Sequence, residues 1–156
     1  MNARIAACAA LMSLLVGCSG GGTTKPASPD AGTSTKPTFS NVWGTVILGN
    51  ACQSSQCHGA SATGGLQLTS KAMAYTSLVG VDAAGVCTDG GTSPACACGQ
   101  SGEKRVVAGD PASSLLIQKL SGNPPCGTRM PQTGDLITPD QLDLVTNWVA
   151  AGAKND

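Results

Sequence analysis

The sequence predicts an all-α domain over residues 39–156, with about four short helices joined by long disulfide-stapled loops. Apolar residues recur at helical spacing in separate short stretches, each opened by a capping residue and closed by glycine. The supply of core-forming side chains is thin, with 41% hydrophobic residues, 3% aromatic residues and 21 glycines among 156. A small domain built from so little apolar bulk relies on disulfides, a metal or a cofactor. The cysteines that remain after export are even in number, as such a framework requires.

Residues 1–17 read as a lipoprotein signal peptide. Arg4 is the positive head, and Ile5 to Val16 form an apolar run too short to span a bilayer. Leu15-Val16-Gly17-Cys18 resembles the lipobox of bacterial lipoproteins, which implies acylation of Cys18 and stable anchoring to a membrane. Residues 18–38 are glycine, serine, threonine and proline with little else, a composition that buries no core and predicts a disordered tether. The localisation implied is the cell envelope, lipid-anchored and facing the periplasm or the exterior. Export means an oxidising compartment, where disulfides persist. Of the 8 cysteines, Cys8 leaves with the signal peptide and Cys18 carries lipid, which leaves Cys52, Cys57, Cys87, Cys96, Cys98 and Cys126.

The first helix is expected through Val42, Trp43, Val46, Ile47 and Leu48, capped by Ser40 or Asn41, with Trp43, Val46 and Ile47 on its apolar face. Leu66 and Leu68 are expected as buried anchors in an extended stretch. The second helix is capped by Thr69 or Ser70 and runs to Val79, with Gly80 as its stop. Residues 82–102 have no regular pattern, hold Cys87, Cys96 and Cys98, and call for disulfide stapling. The third helix is expected to start at Asp110-Pro111 and to run through Leu115, Leu116, Lys119 and Leu120. The last helix is the best specified. Thr138-Pro139-Asp140-Gln141 is a capping box with proline at the first position, and Ile137 and Leu142 are placed as a hydrophobic staple. Leu142, Val145, Trp148 and Val149 form its apolar stripe.

Cys52-Gln53-Ser54-Ser55-Gln56-Cys57-His58 carries the chemistry. Two thiols followed at once by an imidazole are what covalent haem attachment needs: the thiols add across the porphyrin vinyl groups and the imidazole falls under the iron. The spacing is Cys-x4-Cys-His, wider by two residues than Cys-x-x-Cys-His, so the loop between the thiols must bulge away from the ring. The bland alternative is a Cys52–Cys57 disulfide. Zinc needs four Cys or His ligands, usually in two close pairs, and no second Cys-x2-Cys pair exists. One histidine builds no nucleophile–base–acid set, and a net charge of zero offers no field for nucleic acid. Of the methionines outside the leader, Met73 sits in a helix and reads as core filler. Met130 sits in a loop between Arg129 and Pro131 and suits a metal ligand better.

Cys57-His58-Gly59, Gly64-Gly65-Leu66, Val107-Ala108-Gly109-Asp110-Pro111, Ser114-Leu115-Leu116, Lys119-Leu120, Arg129-Met130-Pro131 and Trp148-Val149 resemble, in this order, the landmarks of the cytochrome c-like domains of exported bacterial lipoproteins. The resemblance covers residues 39–154. It implies the class I cytochrome c-like fold and one covalent haem c held through Cys52 and Cys57. It implies His58 and Met130 as the axial ligands of the iron. Arg129 has two equal readings, a partner of a haem propionate or a solvated loop arginine. The resemblance implies that the first and last helices cross, with Gly44 against Trp148. It also suggests a Cys98–Cys126 disulfide, which leaves Cys87–Cys96 as the second. The function implied is electron transfer with redox partner proteins, without bond-making on a substrate, so the chain is not expected to be an enzyme. The alternative is a haem-free, disulfide-stapled lipoprotein acting as a binding or envelope-structural module.

Overall fold

The computed structural model describes residues 35–84, 98–99 and 101–156. The signal peptide, Cys18, most of the tether and the Cys87–Cys96 pairing lie outside the described residues.

The first helix, α1 (Phe39–Asn41), runs directly into a π-helical segment, Val42–Leu48. The cap is Thr38, whose Oγ1 accepts from the Asn41 N–H at 3.2 Å; neither Ser40 nor Asn41 takes that role. The Asp156 carboxylate adds a second anchor, accepting from the Phe39 N–H at 2.9 Å, where negative charge suits a helix N-terminus. Wider π-helical turns shift the side-chain register, so Phe39, Val42, Val46 and Ile47 are buried while Trp43 is only partly so.

The α2 helix (Lys71–Leu78) is capped by Ser70, which accepts from the Met73 N–H at 3.3 Å. It buries Ala74 and Leu78. Met73 is 41% exposed and fills no core, contrary to expectation, because it lies on the outer side of this short helix. Leu68 is buried and Leu66 partly buried, so both anchor the preceding extended stretch.

Residues 79–83 then run beside 103–106, an extended pairing that the helical pattern did not foretell. The Gly80 N–H donates to Val106 O (2.9 Å), the Arg105 N–H to Val81 O (2.8 Å) and the Ala83 N–H to Glu103 O (2.7 Å). β-Branched residues on both sides favour it. The two ends of the irregular stretch are thereby tied together.

The α3 helix (Leu115–Leu120) starts later than Asp110-Pro111 suggested. Asp110 instead closes a turn, its Oδ1 accepting from the Ser113 N–H at 3.1 Å. Buried Ser114 satisfies that turn: its hydroxyl donates to Asp110 O (2.8 Å) and accepts from the Val107 N–H (2.9 Å).

The α4 helix (Pro139–Ala150) has the full capping box, with Gln141 N–H to Thr138 Oγ1 at 3.3 Å and Thr138 N–H to Gln141 Oε1 at 3.1 Å. Ile137 is buried and Leu142 packs partly buried on the same core. The buried stripe is Leu144, Val145, Trp148 and Val149, with Leu142 at its margin. The first and last helical segments pack together around Phe39 and Trp148, whose rings lie 5.1 Å apart. Gly44 is not the partner of Trp148: it is exposed, and a Cβ there would meet nothing within 4 Å. Phe39, one turn earlier, takes that place, with Tyr75 edge-on to it at 5.2 Å. Among the described residues, no helix is long and apolar enough to cross a membrane.

Candidate haem-binding site

The π-helical segment delivers the chain into the cysteine loop. The Cys52 N–H donates to Ile47 O at 2.9 Å, a wide-turn bond that extends the helical winding as far as the first thiol. The extra residues between the thiols are absorbed by a turn in which the Cys57 N–H reaches Ser54 O at 3.0 Å. The ends of the loop then meet, the His58 N–H donating to Cys52 O at 3.0 Å. Gly59 makes this closure possible: a Cβ there would lie against the Gln53 carbonyl and 2.7 Å from Ser54 O. The wider spacing is thus a closed backbone ring rather than slack chain.

Cys52 and Cys57 are both free thiols. Cys57 is exposed. Cys52 is half-buried against the core, its Sγ 3.8 Å from Val46 O, and burial pushes its thiol up from the ordinary value.

His58 is fixed through Nδ1, which lies 2.9 Å from the Thr63 carbonyl. A carbonyl only accepts, so Nδ1 carries the proton and Nε2 keeps its lone pair. A metal-ligating imidazole needs this tautomer. Thr63 opens a 3₁₀ turn, Thr63–Gly65, in which Gly64 takes the left-handed conformation at φ +66°. Arg105 pins the turn from behind, donating from Nη2 to Gly64 O (3.2 Å) and from Nη1 to Ser77 O (2.7 Å). Burial lowers the His58 pKa, the Thr63 carbonyl and, more weakly, the Leu66 carbonyl oppose this, and the Arg105 and Lys119 cations lower it further.

Met130 lies partly buried against the main core. Its N–H donates to Lys119 O at 2.9 Å. The Lys119 ammonium donates to Cys126 O and Thr128 O, both at 3.0 Å, so one α3 residue holds the loop on either side. The Cys98–Cys126 disulfide is formed and ties the start of this loop to the far end of the irregular stretch. Arg129 donates from Nη2 to Gly134 O at 2.8 Å, while its Nη1 is buried with no hydrogen-bond partner among the described residues.

Lys119 holds the Met130 loop through its main-chain carbonyl, and its charge helps to lower the His58 pKa. The donor chemistry fits a haem: an imidazole nitrogen with its lone pair free, a half-buried thioether, two unbridged thiols and a buried guanidinium N–H suited to a carboxylate. The arrangement reveals Gly59, Thr63, Arg105 and Lys119 as supports that spacing alone did not single out. Only the position of Gly59 directly after the histidine could have signalled one of them. Among the described residues, no three His, Cys, Asp or Glu side chains come together. A surface hollow of about 180 Å³, lined by Lys36, Pro37, Trp148, Ala151, Lys154 and Asp156, involves no residue of the cysteine, histidine or methionine loops. Comparison of the chain with protein-family models, with curated proteins and with solved structures finds no match.

Proposed function

We propose that the chain is a lipid-anchored monohaem c-type cytochrome with a class I-like fold, transferring electrons in the cell envelope. The observation that carries this reading is the Nδ1–H bond of His58 to Thr63 O at 2.9 Å, which leaves the Nε2 lone pair for a metal on a histidine directly after a cysteine. Cys57 and Cys52 would hold the group covalently, His58 and Met130 would ligate its iron, and Arg129 Nη1 would meet a propionate. A haem bound there supplies an iron that accepts and returns one electron, at a potential set by the ligands and by burial. The residues themselves do positional work. Thr63 fixes the imidazole tautomer and ring plane, Gly59 lets the thiol loop close, and the Lys119 and Arg105 hydrogen bonds brace the two ligand loops. No side chain is assigned a bond-making role on a substrate.

Expression of the full chain in a host with c-type haem maturation tests the reading. The expected product is red, gains the mass of one haem, and keeps its visible bands after denaturation. A colourless product whose mass shows three disulfides and no haem would instead establish the haem-free lipoprotein.

A further inference from the structure

We infer that Lys119 is the positioning residue for Met130, and that it sets whether the methionine sulfur stays on the iron. The inference rests on the reading of Met130 as a ligand and extends it to the residue that holds the methionine loop.

Three hydrogen bonds from one residue converge on the methionine loop. The ammonium reaches Cys126 O and Thr128 O at 3.0 Å each, and the main-chain carbonyl takes the Met130 N–H at 2.9 Å. The loop segment 126–130 contains no helix or strand of its own. Its carbonyls therefore depend on side-chain donors or water. The Cys98–Cys126 bridge fixes only its first residue. Between that bridge and Met130, Lys119 makes the polar contacts to the main chain, and it does so from a helix whose Leu115 and Leu120 are buried. Lys119 is partly buried, and among the described residues its ammonium has carbonyl partners and no carboxylate. A partly buried cation bound to carbonyl dipoles resists rearrangement, because each lost bond leaves some of its charge unsatisfied. A surface lysine with a merely solvating role would not place its ammonium on two carbonyls of one loop.

The test is Lys119→Met, which keeps the apolar stem and removes the donors. In the haem-free full chain, amide hydrogen exchange at Met130 is expected to quicken by about tenfold or more, while the core amides of Val145 and Val149 keep their protection. In the haem-loaded chain, the sulfur-to-iron charge-transfer band is expected to weaken and the potential to fall. Unchanged Met130 exchange overturns the inference, and so does equal quickening at Met130 and in the core, which would make Lys119 only a general stabiliser. Failure of the unsubstituted chain to show any sulfur-to-iron band overturns the ligand reading itself. That outcome is separate, because the exchange measurement uses no haem.

Discussion

Replacing Cys98 and Cys126 together by alanine removes the covalent tie between the irregular stretch and the methionine loop. The bridge joins residues with a sequence separation of 28. A closed loop of that size removes about 12 cal/mol/K of entropy from the unfolded chain, or about 3.6 kcal/mol at room temperature. Both sulfurs also fill a small cluster with Ala83 and Leu115, where Cys98 is 6% and Cys126 7% exposed. Their loss leaves a gap that adds to the cost. At a urea m-value of about 2 kcal/mol/M, the midpoint should fall by about 1.8 M. The assay is urea unfolding of the full chain, followed by the fluorescence of buried Trp148 and in parallel by far-ultraviolet circular dichroism. Coincident curves would license the free-energy reading. An unchanged midpoint would refute the argument, since it would mean that the unfolded chain gains no freedom when the bridge is absent.

Arg105→Gln should cost about 2–4 kcal/mol, because the Gly64 and Ser77 carbonyls lose charge-assisted donors at a buried site; thermal unfolding measures it. In the haem-free protein, Cys57 should react with iodoacetamide well before Cys52, since it is exposed while burial raises the Cys52 thiol; mass spectrometry of the labelled peptides reads the order. The lowered His58 pKa predicts that haem-free stability is full above the ordinary imidazole value of 6.5 and falls as pH drops below it. The unfolded chain takes up the proton first, so the loss continues until the folded imidazole titrates too. His58→Gln should flatten that pH window. Thr138→Ala should cost about 1 kcal/mol through loss of the cap, measured by chemical denaturation.

Where neighbouring residues satisfy one another without competition, the local pattern decides the element. The Thr138 capping box, the Ser70 cap and the apolar spacing of the last helix all involve residues within one or two turns, and each element stands where expected. The first helix shows the limit. Its apolar face shifted because the segment winds as a π-helix, and no residue pattern in Val42–Leu48 encodes the choice between winding modes. Asp110-Pro111 carries good helix-start chemistry, yet buried Ser114 captured both the Val107 N–H and the Asp110 carbonyl and turned it into a tight bend. Gly44 and Trp148 failed as a pair for a related reason: Phe39, from the same helical segment, filled the space.

The sequence by itself determined the caps of α2 and α4, the apolar stripe of α4, and the thiol–thiol–imidazole order at 52–58. These depend on chemistry between near neighbours, which the chain writes directly. Only the tertiary structure decided how the wider thiol loop closes, which nitrogen of His58 is left free, and that Lys119 holds the loop from Cys126 to Met130. Those outcomes hang on contacts such as Arg105 with Gly64, 41 residues apart, and they are settled by which buried polar groups can be satisfied at once.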